Sequence, residues 1–215
     1  MPAARGQCEI CTLNITTMKE FWNSRYEESD TFYGEEPNSF FKEFIDRMPV
    51  GRLLLPGEGE GRNAIYAASN GWGVEAFDWS ESARAAAAEN AEIAGVMLHY
   101  ELKDIAVYKP VKRYDAIALI YVHLPALLRK GFHKRLVESL EPGGYIIMEA
   151  FSKNQVENIA AGPENAGLYY TAADIENDFA GLDISLCDEE EISLAEGELD
   201  NSRANVIHFI GRKPY

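Results

Sequence analysis

Cysteine and basic residues are scarce in this chain. Its 215 residues include three cysteines, Cys8, Cys11 and Cys187, which are too few for a disulfide framework and suit a reducing compartment. The Cys8-x-x-Cys11 pair has no second such pair and no histidine cluster to complete a metal site, so we expect none. Lysine and arginine total 20 against 35 acids, and the formal charge of −15 disfavours nucleic acid and anionic membranes as partners.

Long apolar runs are missing as well. No segment approaches the roughly 20 apolar residues that a membrane-spanning helix needs, and the first residues contain no signal-peptide core. We therefore expect a cytoplasmic protein, a monomer or homodimer, whose partner is a small molecule. The length and the 47% of apolar residues suit one globular domain. We expect an extension over residues 1–17, a helical cap over 18–50 and the main body over 51–215.

The segments that are present alternate between strand and helix from Arg52 onwards. RLLL, VEAF, MLHY, YDAIALI and YIIMEAF have the composition of strands, and helix patterns separate several of them, such as the one that Ser80 caps and Gly95 ends. This alternation predicts a doubly wound α/β fold with helices on both faces of a parallel sheet. Two later strand-like runs flank EGELDNS and predict a β-hairpin that adds antiparallel strands at the sheet edge.

A glycine-rich turn joins the first strand to the next helix. In LLLPGEGEGRN, Gly57, Gly59 and Gly61 form a GxGxG pattern, which permits backbone conformations closed to other residues and a close approach of main-chain N–H groups to a ligand. A dinucleotide site requires a small residue three positions after Gly59, where this chain has Arg62. The turn therefore favours a mononucleotide-like ligand such as S-adenosylmethionine (SAM) over NAD.

Polar residues follow the predicted strands. Asp78 lies 21 residues after Gly57, a position from which a carboxylate can accept hydrogen bonds from ribose hydroxyls; a solvated or helix-capping Asp78 is the alternative. Asp104 and Ile105 follow the third strand and suit an adenine ring, with an exposed loop acid as the alternative. Because the carboxyl ends of parallel strands share one edge, we expect these residues, Tyr121 and His123 to surround one ligand site.

The motifs LLLPGEGEGRN, VEAFD, KDI, YDAIALI and LEPGGYIIME, in this order, resemble those of class I SAM-dependent methyltransferases. FWNSRY and YGEEPN upstream, with AGPENAGLYYTAADIENDF and the terminal hairpin downstream, resemble the small-molecule branch that includes tellurite-resistance and thiopurine methyltransferases. The resemblance covers roughly residues 20–213. It implies a Rossmann-like, mostly parallel sheet of seven strands with an antiparallel C-terminal strand, SAM as cofactor and S-adenosylhomocysteine (SAH) as product.

The resemblance also implies a set of site residues. It assigns the glycines of the turn to the methionine part of SAM, Asp78 to the ribose, and Asp104 with Ile105 to the adenine. N-terminal residues of such proteins fold over the cofactor; on a helix, Trp22 and Tyr26 would share one face, so core packing is the alternative. The cofactor contacts expected are Gly57, Glu58, Gly59, Gly61, Asp78, Trp79, Asp104, Ile105, Tyr121 and Arg25. The residues expected in the lid or substrate pocket are Trp22, Tyr26, Tyr33, His123 and Glu149.

One position departs from the family pattern. Methyltransferases of this class usually carry an acid at the end of the first strand, which helps to hold the methionine ammonium, whereas this chain has Leu55 followed by Pro56. Glu58 or Glu60 of the turn is a candidate substitute, although carboxylates in loops are more often solvated. A protein that keeps the fold and binds SAM or SAH without efficient catalysis is therefore a second hypothesis.

The predicted reaction makes few demands on proton transfer. A sulfonium is already an activated leaving group, so methyl transfer requires mainly the alignment of the acceptor with the methyl carbon. His123 is the candidate general base for an acceptor that carries a proton, and a hydrogen-bonded structural histidine is the alternative. Glu149, near the end of the fifth strand, either lines the acceptor pocket or caps the sheet.

Overall fold

A computed structural model describes residues 22, 23, 26, 34–154, 165–194 and 203–215. Within these ranges the helices are α1 (Ser39–Arg47), α2 (Arg62–Ser69), α3 (Glu81–Ala94), α4 (Ala126–Glu138) and α5 (Ala172–Asp178). The strands are β1 (Arg52–Pro56), β2 (Gly73–Asp78), β3 (His99–Leu102), β4 (Tyr114–Ile120), β5 (Leu140–Phe151), β6 (Asp183–Ser193) and β7 (Arg203–Arg212). The predictions for Cys8, Cys11, Arg25 and Tyr33 concern positions outside the described residues.

The strands form one sheet in the order β3-β2-β1-β4-β5-β7-β6. Strands β1 to β5 pair with one another in parallel, and β7 pairs antiparallel with both β5 and β6. The predicted α/β fold with seven strands and an antiparallel C-terminal hairpin is confirmed. Strand order reverses direction between β1 and β4, which is where open α/β sheets bind ligands.

Successive side chains of the central strands point to opposite faces of the sheet and pack into two separate core layers. Leu54 of β1 and Ile117 of β4 pack on one face of the sheet, whereas Leu53 and Leu55 pack on the other. This alternation is the period of two that a β-strand imposes, and apolar residues at every position bury both faces, as a parallel sheet requires. The β1 strand is thereby fixed, and its end holds the glycine turn in place.

Helix starts and stops follow local chemistry. The Asn38 side chain accepts a hydrogen bond from Phe41 N at 2.9 Å and begins α1, whose apolar face joins the core. Ser80 caps α3, and Gly95 in a left-handed conformation ends it, both as predicted. No helix among the described residues has the length and apolar character needed to cross a membrane.

Candidate active site

A cleft opens at the carboxyl ends of the parallel strands, beside the point where strand order reverses. The space between its walls, including the open mouth, is about 1000 Å³. Residues 57–61 together with Asp78 are called the glycine rim; of these, Gly57, Glu58 and Asp78 line the cleft. Residues 121–125 also line the cleft and are called the aromatic rim. The lining residues are Trp22, Tyr26, Gly57, Glu58, Arg62, Asn63, Asp78, Trp79, Lys103, Asp104, Ile105, Ile120, Tyr121, Val122, His123, Leu124, Pro125 and Leu128.

The glycine turn adopts a conformation that other residues rarely tolerate. Gly57, Gly59 and Gly61 have φ values of 65°, 64° and 89°. Gly57 N donates to the carbonyl of Phe77 at 2.7 Å, which ties the turn to β2. A Cβ on Gly59 would lie 2.7 Å from the Tyr26 hydroxyl, so this glycine allows Tyr26 to pack on the turn. Gly57 lines the cleft, whereas Gly59 and Gly61 are not among its lining residues.

Asp78 is a buried carboxylate held in a fixed orientation. One oxygen accepts from Gly59 N at 3.2 Å and the other from Ser80 N at 2.9 Å. Burial raises the pKa of Asp78, and the backbone N–H groups partly offset that effect. Ser80, and not Asp78, caps α3, and only 7% of Asp78 is exposed. The geometry therefore disfavours both alternatives, a solvated and a helix-capping Asp78.

Asp104 and Ile105 lie in the cleft on the loop after β3. Asp104 Oδ1 accepts from Ala106 N at 2.8 Å, which makes the carboxylate part of a local turn. From α4, Arg135 Nη2 donates to the Ile105 carbonyl at 3.2 Å and holds the loop against the body of the protein. A half-buried acid beside an apolar side chain suits an adenine ring, and this role stays a prediction.

Trp22 and Tyr26 are helical and line the cleft, with their ring centroids 6.0 Å apart. Tyr26 also contacts the glycine turn, because its hydroxyl occupies the space that a Cβ on Gly59 would need. Both side chains therefore face the cleft, as a lid requires, and their role as a lid stays a prediction. Trp79 also lines the cleft, next to Asp78.

His123 is placed in the cleft, but its geometry disfavours the predicted general base. Its Nδ1 lies 3.2 Å from the Leu168 carbonyl, and Phe151 N donates to Nε2 at 3.4 Å. These contacts fit a neutral ring with the proton on Nδ1, and both nitrogens are engaged by backbone. Burial lowers the pKa of His123 to about 4. The structural alternative, a histidine that joins β5 to residue 168, is favoured.

The aromatic rim begins at a residue with an unusual backbone conformation and is held by hydrogen bonds from a buried tyrosine. Tyr121 has a φ of 54°, and no other non-glycine residue of the described ranges has a positive value. Its ring stacks on Phe151 at 4.7 Å. The buried Tyr170 hydroxyl accepts from Leu124 N at 2.6 Å and donates to the Val122 carbonyl at 2.9 Å. The rim is thus shaped by aromatic packing and by one tyrosine hydroxyl.

Glu149 is not among the residues that line the cleft. Its carboxylate accepts from the Asn38 amide at 2.7 Å, and its other oxygen lies 2.6 Å from Nε2 of His208. His208 Nδ1 lies 2.6 Å from Glu190, so the imidazole links two carboxylates. These contacts join α1, β5, β6 and β7, and they favour the alternative in which Glu149 fastens the sheet.

The missing acid at the end of β1 leaves Glu58 as the acid of the turn that faces the cleft. Leu55 is buried in the core with 1% exposure and cannot reach a ligand. Glu60 is buried too, but it is not among the lining residues. Glu58 Oε1 accepts from Ala64 N at 2.6 Å and so caps α2, whose N-cap residue Gly61 has no side chain to do so. Burial raises the pKa of Glu58 to about 7.

Comparison with known proteins places the chain in a family. The family model described as Tellurite resistance protein TehB matches residues 15–163. The chain belongs to the TehB family. The predicted resemblance to tellurite-resistance proteins is thereby confirmed.

Several known proteins are similar to this chain in sequence or in structure. Thiocyanate methyltransferase 1 of Arabidopsis thaliana is 28% identical over 65% of this chain and 65% of its own length. The crystal structure of TehB from Haemophilus influenzae has a TM-score of 0.70 at 19% identity, over 82% of this chain and 62% of that one. Magnesium protoporphyrin IX methyltransferase from Synechocystis PCC 6803, solved with SAH, has a TM-score of 0.68 at 14% identity, over 92% and 98% of the two chains. The solved structures share the fold.

Several lining residues of this TehB-family chain were not predicted as ligand contacts. Arg62 and Asn63 begin α2 directly behind the glycine turn, so their position next to a predicted ligand loop was a usable signal. Lys103 immediately precedes Asp104 and carried a similar signal. Leu128 lies on α4, which packs against β5, and no local pattern in the sequence indicates its contact with the cleft.

Proposed function

We infer that this TehB-family chain binds SAM in the cleft and transfers its methyl group to a small acceptor. The observation that carries this proposal is the bond between Gly59 N and the Asp78 carboxylate, which fixes a glycine turn and a buried acid at one rim. Such a pair suits the sugar and amino-acid parts of a nucleoside cofactor. The names of the relatives, a thiocyanate methyltransferase and a methyltransferase solved with SAH, support the same function.

The cleft residues divide the work of binding. We assign the methionine part to the glycine turn, the ribose hydroxyls to Asp78 and the adenine to Asp104 with Ile105. Bound SAM supplies an electrophilic methyl group on a sulfonium. The side chains of Trp22 and Tyr26 exclude water above it, in keeping with residues 18–50 as a cap on the body formed by 51–215.

We propose that the methyl acceptor is a nucleophile that needs no general base. Among the described lining residues, the imidazole of His123 has both nitrogens bonded to backbone, and Asp78 accepts backbone N–H groups on both oxygens. A thiolate, another soft anion or a metalloid oxyanion requires no proton removal. Transfer would form a bond from the acceptor atom to the methyl carbon and break the carbon–sulfur bond, so the acceptor would become one unit less negative and SAH would be released. The scarce cysteines suit a reducing compartment, so we place this reaction in the cytoplasm.

An acceptor screen tests the proposal. The protein is incubated with SAM and single members of three sets: thiols with thiocyanate and halides, metalloid oxyanions, and amines. SAH release is measured by mass spectrometry. We expect release with the first or second set and much less with protonated amines. Release with amines alone would contradict the acceptor assignment.

A second candidate, a SAM- or SAH-binding protein without efficient catalysis, is favoured by one observation. Leu55 stands where a carboxylate is expected, and this substitution is expected to weaken the hold on the methionine part. Saturable SAH binding together with no SAH release from any acceptor set would establish this candidate and exclude the enzyme.

A further inference from the structure

A buried ion pair near the edge of the sheet lies beside α1 and takes no part in the proposed methyl transfer. Nε2 of His208 on β7 lies 2.6 Å from Glu149 on β5, and its Nδ1 lies 2.6 Å from Glu190 on β6. An ionised carboxylate only accepts hydrogen bonds, so both ring nitrogens donate and the ring is an imidazolium. Burial lowers the pKa of His208, but the bonds to the two carboxylates outweigh that effect and raise it. The positive ring compensates the charge of Glu149, which is 2% exposed.

The second oxygen of Glu149 connects this ion pair to α1. It accepts from Nδ2 of Asn38 at 2.7 Å. The Asn38 side chain also accepts from Phe41 N at 2.9 Å and so caps α1. Because Asn38 is buried, solvent cannot replace either partner. Asn38 is therefore fixed between the first turn of α1 and strand β5.

The backbone of Asn38 carries the connection on to the cleft. Its N–H donates to Oδ1 of Asn63 at 2.9 Å. Asn63 is buried in the first turn of α2 and lines the cleft. Since its oxygen is bonded to Asn38, its NH₂ group points away from Asn38, and the side chain also hydrogen-bonds Glu58 of the cleft wall. A continuous chain of hydrogen bonds therefore runs from His208 to the cleft.

The residues just before α1 also hold the base of the predicted lid. Residues 34–38 follow the segment that contains Trp22 and Tyr26, whose side chains line the cleft. Nη1 of Arg62 donates to the carbonyl of Glu36 at 3.3 Å. Residues 36 and 38 are thus bonded to the first two residues of α2, and both of these line the cleft.

We propose that Asn38 and Glu149 are positioning residues for the cofactor site, through which the ion pair at the sheet edge fixes the amide of Asn63 and the base of the lid. The inference rests on the proposed SAM binding. Neither Asn38 nor Glu149 is among the residues that line the cleft, so their effect on a ligand passes through Asn63. A purely structural role would change stability alone, whereas a positioning role also changes ligand affinity by this route.

Two substitutions separate the hydrogen bond from the charge. Asn38→Ser retains a side chain that caps α1 but lacks the amide that donates to Glu149. Glu149→Gln retains an oxygen that accepts from Asn38, and its NH₂ group can donate to a neutral His208. Calorimetry at pH 7 should show SAH affinity weaker by about 3- to 30-fold in Asn38→Ser and within about threefold of wild type in Glu149→Gln.

A double-mutant cycle tests the route through Asn63. Asn63→Ala alone should weaken SAH binding, and adding Asn38→Ser should cause little further loss, because the group that Asn38 positions is already gone. When Asn38→Ser is combined with Asp104→Ala, the two losses should multiply. Ser152→Ala is the matched control, since it removes a buried hydroxyl that bonds Glu189 of β6 from the end of β5. It should lower the unfolding temperature and leave SAH affinity unchanged.

Four outcomes bear against the proposal. Wild-type SAH affinity in Asn38→Ser overturns it, and so do equal losses in Asn38→Ser and Glu149→Gln. Losses that multiply between Asn38→Ser and Asn63→Ala also overturn it, as does a lower SAH affinity in Ser152→Ala. Folded wild-type protein that does not bind SAH overturns the proposed function and this inference with it, whereas wild-type binding with any of the four outcomes overturns the inference alone.

Discussion

The glycine rim and the aromatic rim face the same cleft, but their buried polar groups have different partners. On the glycine rim, Asp78 and Glu58 accept backbone N–H groups and remain acids beside the ligand site. On the aromatic rim, His123 is held neutral between two backbone groups, and Tyr170 fixes the loop through its hydroxyl. The difference indicates that the glycine rim presents ionisable groups to the cleft, whereas the aromatic rim determines the shape of the cleft.

The cost of keeping a charge on the glycine rim is measurable without any ligand. The folded protein raises the pKa of Glu58 to about 7 from 4.5, so it holds that proton more tightly than the unfolded chain does. The stability of the wild type relative to Glu58→Gln should therefore fall as pH rises from 4.5 to 7 and stay low above pH 7. Between pH 5 and pH 8 the difference should change by about 2 to 3 kcal/mol, measured by urea unfolding. The same difference at both pH values would contradict a buried, costly charge.

Asp78→Ala tests whether the glycine rim binds the ligand. Loss of a charged hydrogen-bond acceptor should weaken SAH binding by about 10- to 100-fold, measured by calorimetry at pH 8. Asp115→Ala, which removes an acid that accepts from Arg52 N at the opposite end of β1, is the control and should leave the affinity unchanged. Unchanged affinity in Asp78→Ala would remove this residue from the site.

Tyr170→Phe tests whether the aromatic rim depends on one hydroxyl. The change leaves the buried Leu124 N–H and Val122 carbonyl without that partner, so the free energy of unfolding should fall by about 1 to 2 kcal/mol. We propose that this rim faces the acceptor, so turnover should fall more than SAH affinity. An SAH affinity that falls as far as turnover would show that the two rims do not have separate tasks.

His123→Gln should have the smallest effect on the pH profile. If His123 only joins backbone groups, the variant should lower turnover by no more than about tenfold and leave the dependence of turnover on pH unchanged. The measurement is turnover with a permanently ionised acceptor and with a thiol, each from pH 6 to 9. Loss of a titration step with the thiol alone would restore His123 as a base.

The sequence predicts the glycine rim better than the aromatic rim for a physical reason. Gly57 and Asp78 follow their strands directly, and parallel strands bring such positions to one edge, so local spacing is enough. The partners of His123 are at Leu168 and Phe151, and contacts over that sequence distance depend on how the whole sheet packs. The same holds for Glu149, whose partner His208 lies on β7. For these two residues the sequence offered alternatives that only the tertiary contacts could separate.

Titration of the wild-type protein with SAH in a calorimeter tests the central claim most directly. A glycine rim built to bind a nucleoside cofactor predicts saturable binding at one site per chain at pH 8. No heat at millimolar SAH, from protein shown to be folded by circular dichroism, would contradict the account.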